Sequence, residues 1–174
     1  MKRVLILISL LLIIIVLFGT LDFNKQGIRS TKELSIPIDI KNTVIENTQN
    51  MNSFEIAEYC SEMTCDLLTY SLKQDKPFIN KPSKAHCVTY ARVCSELCNI
   101  AYKAHGLNSS AKSVYGYFTY FKVNINKVLT ILSPKKCKRY LTNHDVVELC
   151  IGDKTYWLDP TLHDLINFSK VKEY

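Results

Sequence analysis

Several common signatures are missing from this sequence of 174 residues. It has no internal repeat, and its seven cysteines form no C-x-x-C pair, which argues against a paired zinc knuckle and a thioredoxin-like redox site. The formal net charge is only +6, and the basic residues are too weakly clustered to favour nucleic-acid binding. With 22% charged residues, the composition is not that of a disordered chain. The length suits one globular domain plus an appendage.

The N-terminus carries an apolar run of nearly transmembrane length. Lys2 and Arg3 precede an uninterrupted apolar stretch over residues 4–18, which residues 19–21 extend. As a helix rising about 1.5 Å per residue, it would span about 27 Å, close to a bilayer core of about 30 Å. No A-x-A-like cleavage site follows, so an uncleaved anchor is favoured over a cleaved signal peptide. The leading positive pair predicts a cytoplasmic N-terminus and an extracytoplasmic domain.

The rest of the chain divides into a polar segment and a folded domain. Residues 1–21 are assigned to the membrane anchor or signal segment. Residues 22–50 are rich in Asn, Thr and Lys without a sustained period, and are interpreted as a linker with a strand-like patch near residues 36–40. Residues 51–174 are assigned to the domain. A basic cluster over residues 135–139 is interpreted as a solvated loop, with a substrate-facing or membrane-facing role as the alternative.

Apolar residues recurring three or four positions apart predict two helices. The first begins with Ser53 as its N-cap and ends near Leu72, before a loop with two prolines. The second has Ser83 as its N-cap and stops at Gly106. A strand over residues 111–123 follows, because aromatic and β-branched residues dominate there. The buried stripe of the second helix comprises Cys87, Ala91, Cys94, Cys98 and Ala101.

Cys87 lies near the start of the second helix and is the candidate nucleophile. The unpaired N–H groups and the positive end of a helix dipole favour a thiolate there, and the same N–H groups can stabilise an oxyanion. Cys94 and Cys98 lie deeper in the helix and lack this advantage. The alternative is that Cys87 only fills the core. The odd number of cysteines permits three disulfides and one free thiol, or seven reduced thiols.

The stretch "NHDVVELCIGDKTYWLDPT" predicts a β-hairpin that brings a histidine and an aspartate together. A two-residue turn at Gly152 and Asp153 sets the register. His144 and Asp159 then share one face of the sheet as diagonal neighbours, so the carboxylate can hold the imidazole in one tautomer. A three-residue turn would shift the register and separate them, in which case His163 could replace His144.

A cysteine at a helix N-terminus, followed by a histidine and an aspartate on neighbouring strands, is the order of a thiol triad. The stretch from Lys84 to Thr161, with "AHCVTYARVCSELCNIAYKAHGL", "AKSVYGYF", "NHDVVEL" and "YWLDPT", resembles the transglutaminase-like superfamily, a branch of the papain-like cysteine-protease fold. The resemblance implies an α+β fold in which the nucleophile helix packs on an antiparallel sheet. It also implies that Cys87 is the nucleophile, His144 the general base and acid, and Asp159 the residue that orients it.

The sequence departs from the pattern of this family at two positions. Members often carry glycine before the cysteine helix and an aromatic residue two positions after the histidine, where this chain has His86 and Val146. These departures bear on substrate and efficiency more than on the fold. The family also supplies a side-chain donor to the oxyanion hole, for which Asn80 is the candidate. No metal and no cofactor are expected.

The expected function is that of a membrane-anchored thiol acyl-transfer enzyme acting on a peptide or protein substrate. Cys87 would attack a peptide or side-chain amide and form a thioester, and His144 would protonate the leaving amine. Water would then give a peptidase or amidase reaction, and a second amine would give cross-linking. The alternative is a non-catalytic module that keeps the fold in order to bind a peptide or a cell-surface partner.

Overall fold

The computed structural model describes most of the chain after the N-terminal apolar run. The described residues are 22–29, 34–71, 82–120, 123–132, 143–166 and 172–173. Within these ranges the chain forms five helices and an antiparallel sheet, so the α+β class is as predicted.

The helices and strands alternate along the chain without segregating into separate domains. The helices are α1 (Ile38–Asn47), α2 (Ser53–Leu67), α3 (Cys87–Ala104), α4 (Ile125–Leu132) and α5 (Pro160–Ile166). The strands are β1 (Asp22–Ile28), β2 (Leu68–Tyr70), β3 (Ser83–Ala85), β4 (Ser109–Tyr120), β5 (Val123–Asn124), β6 (His144–Ile151), β7 (Lys154–Leu158) and β8 (Lys172–Glu173). The main sheet has the order β1-β4-β6-β7-β8, with β5 also paired to β4, and β2 and β3 form a separate parallel pair.

The helix α3, which begins at Cys87, packs on the sheet, as expected. It lies against β4 and β6, and α1, α2 and α5 pack around it. Because side chains alternate across a strand, Val147 and Leu149 of β6 face this helical core, whereas Val146 faces a second cluster with Phe23 and Trp157. The sheet is therefore buried on both faces around its middle strands.

The β6–β7 hairpin has the predicted register. Ile151 pairs with Lys154 and Val147 with Leu158 across a two-residue turn. Gly152 has φ +59°, which glycine adopts without the penalty that a Cβ imposes. The predicted placement of His144 and Asp159 depends on this register.

The first predicted helix begins at the expected residue but has a different cap. The side chain of Asn52 accepts hydrogen bonds from the N–H groups of Phe54 and Glu55, and the Glu55 carboxylate accepts from the Asn52 N–H at 2.7 Å. This is a complete capping box, so Asn52 and not Ser53 is the N-cap. The helix ends at Leu67, before Leu72, because the chain becomes extended and enters β2.

The second predicted helix begins later than expected. Ser83 is the first residue of β3 and pairs with Leu68 of β2, and the chain stays extended through Ala85, so Ser83 lies too far before the first helical turn to cap it. His86 is the N-cap of α3 and Cys87 its first residue. The helix ends at Ala104, followed by Gly106 at φ +65°, which agrees with the predicted stop.

The segment interpreted as a linker contributes to the fold. The linker interpretation is therefore wrong for residues 22–28 and 38–47. The strand β1 pairs with β4 in the main sheet, and the helix α1 replaces the strand-like patch. The alternation of Ile36, Ile38 and Ile40 suggested a strand. The structure buries Ile36, Ile40 and Val44 and leaves Ile38 70% exposed, because the helical period decides which residues face the core.

Several predicted features lie outside the described residues. These are the anchor at residues 1–21, the basic cluster at residues 135–139 and Asn80. Among the helices that the structure does describe, none has the length and apolar character needed to span a bilayer.

Candidate functional site

Cys87, His144 and Asp159 meet at the N-terminal end of α3. Cys87 is the first residue of α3, His144 the first residue of β6, and Asp159 follows β7 directly. The Nε2 atom of His144 lies 2.6 Å from Oδ2 of Asp159, so the predicted proximity of these two residues is confirmed. The imidazole also lies close enough to the Cys87 thiol to lower the pKa of that thiol.

The Asp159 carboxylate is fixed by the helix that follows it. Its side chain is 1% exposed, and Oδ1 accepts hydrogen bonds from the N–H groups of Thr161 at 3.0 Å and Leu162 at 3.1 Å. Asp159 thus caps α5, and Pro160 occupies the first helical position, where a missing N–H costs nothing. This accounts for the Asp-Pro-Thr sequence and leaves Oδ2 to bind His144.

The surroundings of the His144 imidazole favour its charged form. Burial of the ring opposes protonation, but the Asp159 charge and the hydrogen bonds to Asp159 and Cys87 outweigh it and hold the pKa of His144 well above its usual value. The ring also lies against Phe118, with 5.3 Å between centroids. One aromatic contact and one carboxylate therefore fix its orientation.

The thiol of Cys87 is acidic for a cysteine. Burial opposes its ionisation, but hydrogen bonds with His144 and His86 and the charge of His144 outweigh burial and lower the pKa of Cys87 from 9.0 to about 7. An imidazolium beside a thiolate is the arrangement that activates a cysteine nucleophile. The effect of His86 on this pKa was not expected from the sequence.

The neighbouring cysteines have the opposite character. A hydrogen bond with Cys98 and burial raise the pKa of Cys94 well above its usual value, and a hydrogen bond with Cys60 and burial do the same for Cys98. Burial raises the pKa of Cys65 to about 12. Among Cys65, Cys87, Cys94 and Cys98, only Cys87 has a lowered pKa.

The cysteines in the described ranges are all free thiols. They comprise Cys60, Cys65, Cys87, Cys94, Cys98 and Cys150. Three disulfides would need six of the seven cysteines, so the alternative with three bridges is not what the structure shows.

Two charged residues outside the predicted triad also reach the thiol centre. Oδ2 of Asp145 lies 3.8 Å from the sulfur of Cys87. Arg29 binds the same carboxylate, with Nε 2.5 Å from Oδ1 and Nη2 3.1 Å from Oδ2. The sequence did contain a signal for Asp145, because a charged residue is unusual at a core-facing position of an apolar strand. Arg29 gave no signal, because its segment was interpreted as a linker.

Tyr70 is a third residue that the sequence did not indicate. It pairs with Ala85, two residues before Cys87, in the small parallel sheet. Burial raises the pKa of the Tyr70 hydroxyl, and negative charge on Cys87 and Asp159 raises it further. The hydroxyl therefore stays protonated, as a hydrogen-bond donor in the electrostatic field of the site.

His144, and not the alternative His163, contacts the Asp159 carboxylate. Nδ1 of His163 lies 3.1 Å from the Ser61 hydroxyl, while His144 occupies the position beside Asp159. In the parts of the chain that the structure describes, no group of three or more His, Cys, Asp or Glu side chains is arranged to hold a metal ion.

Comparisons with known proteins add no family to this geometry. The chain matches no family model, no curated protein and no solved structure. Functional inference therefore rests on the site itself.

Proposed function

We propose that this protein is a cysteine-nucleophile acyl-transfer enzyme with a papain-like, transglutaminase-like core. The supporting observation is the joint placement of Cys87, His144 and Asp159, with a carboxylate 2.6 Å from the imidazole and a thiol whose pKa the imidazole lowers. An aspartate that only caps α5 would not need the histidine, and a cysteine that only fills the core would not need a lowered pKa.

The proposed reaction begins with attack of the Cys87 thiolate on an amide carbonyl carbon of a peptide or protein substrate. A C–S bond forms and the carbonyl oxygen becomes an oxyanion. The N–H groups of Cys87 and Val88 precede the first hydrogen bonds of α3, which Thr89 and Tyr90 donate to His86, and would stabilise that charge. The protonated His144 then gives its proton to the leaving nitrogen as the C–N bond breaks, which leaves a thioester on Cys87.

The second half of the reaction releases the acyl group. Neutral His144 takes a proton from water or from a second amine, the new nucleophile attacks the thioester carbonyl, and the C–S bond breaks. Water gives a carboxylic acid and an amine gives a cross-link. Asp159 holds the imidazole in one tautomer and stabilises its charged form in both halves. No metal or redox cofactor takes part in this scheme.

We further propose that residues 1–21 anchor the enzyme in a membrane, with the domain outside the cytoplasm. The support is the length of the apolar run and the positive pair before it. Substrates would then be peptides or proteins at the same membrane surface.

The test is a covalent adduct on the nucleophile. Full-length protein in detergent is incubated with peptides that carry glutamine side chains and free termini, with and without a primary amine, and quenched in acid for mass spectrometry. An acyl group on the Cys87 peptide is expected, and Cys87→Ala should abolish both the adduct and product formation. Cys150→Ala is the matched control, because it removes another partly exposed thiol and should change neither.

Two results would overturn the proposal. One is product formation that survives in Cys87→Ala. The other is the absence of any adduct and product although Cys87 reacts with iodoacetamide, which would favour the non-catalytic binding module.

A further inference from the structure

A buried carboxylate that is not part of the proposed triad lies beside the proposed nucleophile. The Asp145 side chain is 1% exposed, and its Oδ2 atom is 3.8 Å from the Cys87 sulfur. A negative charge this close opposes ionisation of a thiol. Asp145 is not needed for the triad, since Asp159 already holds His144, so its charge works against the thiolate that the triad favours.

Arg29 supplies the opposite charge at the same carboxylate. Two of its nitrogens contact the two oxygens of Asp145, the fork geometry that suits a guanidinium and a carboxylate. The guanidinium also lies over the Tyr115 ring, 4.3 Å from the centroid, and the Arg29 N–H donates to the Ser113 carbonyl at 2.9 Å. Side chain and backbone are thus both held, at the point where β1 ends.

We infer that Arg29 is a positioning residue of the thiol centre, whose charge offsets that of Asp145 and keeps the Cys87 thiol ionisable near neutral pH. The part that concerns thiol ionisation stands on the geometry alone. The consequence for turnover rests on the proposed function. By this inference the segment that follows β1 completes the site, although it is more than fifty residues away from Cys87 in the sequence.

The groups that face the Cys87 thiol from each neighbouring element determine whether the pKa of Cys87 is raised or lowered. His86 and His144 favour the thiolate, Asp145 opposes it, and Arg29 reaches it through Asp145. The titratable and charged groups around the sulfur are His86 at the start of α3, His144 and Asp145 on β6, Arg29 after β1, Tyr70 on β2 and Asp159 behind His144.

Single substitutions should therefore shift the pKa of Cys87 in opposite directions. Arg29→Gln leaves Asp145 unopposed and should raise the pKa by about one unit, so that about tenfold less thiolate is present below the pKa. Asp145→Asn leaves Arg29 unopposed and should lower the pKa. The double variant should return close to the starting value. Damage to the fold would not shift the pKa of Cys87 in opposite directions in the two single variants.

The measurement is the pH dependence of Cys87 alkylation. Full-length protein in detergent is pulsed with iodoacetamide from pH 5 to pH 10, and modification of the Cys87 peptide is quantified by mass spectrometry. Arg29→Lys keeps the charge without the fork and should restore most of the shift. Lys25→Gln is the matched control, because Lys25 lies in β1 and bridges to Glu148 on β6 at 2.6 Å, and its loss should leave the profile unchanged.

The inference is wrong if Arg29→Gln leaves the profile in place, or if Arg29→Gln and Asp145→Asn shift it in the same direction. Should Arg29→Gln alone fail to fold, Asp145→Asn and the double variant still differ by the same charge, and the double variant must show the higher pKa. If the two single variants shift the pKa of Cys87 in opposite directions but no amide is turned over, the proposed enzyme is contradicted and the role of Arg29 is not. If amides are turned over but the pKa shifts are not opposite, the role of Arg29 is contradicted and the proposed enzyme is not.

Discussion

The replacement His144→Ala tests the thiol–imidazole pair by removing both a hydrogen bond and a positive charge from Cys87. With a pKa of about 7 instead of 9.0, roughly one-tenth of the thiol is ionised at pH 6, against about one-thousandth for an ordinary cysteine. This roughly hundredfold difference corresponds to about 3 kcal/mol. Without the imidazole, burial still opposes ionisation, so the pKa should rise towards 9.0.

The sign and size of the effect can be followed in one experiment. Alkylation of Cys87 should increase as pH rises through about 7 in the unmodified protein, because the thiolate is present only above its pKa. In His144→Ala the inflection should move up by nearly two units, and the thiolate fraction at pH 7 should fall by up to about fifty-fold. Mass spectrometry of each cysteine peptide separates Cys87 from the buried thiols.

A matched variant makes the result decisive. His163→Ala removes the imidazole that contacts Ser61 and should leave the Cys87 inflection where it is. If His144→Ala also leaves it there, His144 does not set the acidity of the thiol. The proposed triad would then lack the interaction between His144 and Cys87, whatever the distance from His144 to Asp159.

Three further outcomes are expected. Asp159→Ala should destabilise the protein by about 1 kcal/mol through loss of the α5 cap. Asp159→Asn should keep the cap and mainly lower turnover. Equal melting temperatures for the two variants would contradict this expectation. Asn52→Ala should cost about 1 kcal/mol of unfolding free energy by breaking the capping box without moving the Cys87 inflection, and thermal unfolding with alkylation measures both. The full-length protein should stay in the membrane fraction after a carbonate wash, and recovery of a soluble form that begins near Gly19 or Leu21 would show that the apolar run is cleaved.

The parts of the site that the sequence predicted are those governed by short-range rules. The separation of His144 and Asp159 follows from one turn and the two-residue period of a strand, so it could be derived without a structure. The acidity of Cys87 was expected from its position in a helix, whereas the groups that lower its pKa are His144 and His86. Both inferences need only residues close together along the chain.

The parts that the sequence did not predict depend on distant pairing. Arg29 reaches Asp145 only because β1 pairs with β4, about ninety residues further along the chain, and β4 in turn with β6. The polar composition of residues 22–50 gave no hint of that pairing. Tyr70 was missed for a similar reason, since a three-residue strand after a helix has no periodic signature of its own.

The position of β1 in the sequence has a consequence for how far the enzyme could reach. The apolar run ends at Leu21 and β1 begins at Asp22, so in the proposed anchored protein no spacer separates the bilayer from the sheet. A strand rises about 3.3 Å per residue, and Arg29 stands seven residues after Asp22, so this part of the site would lie at most about 23 Å above the membrane surface. Such an enzyme would cleave or cross-link only those segments of its targets that lie at that distance from the membrane surface.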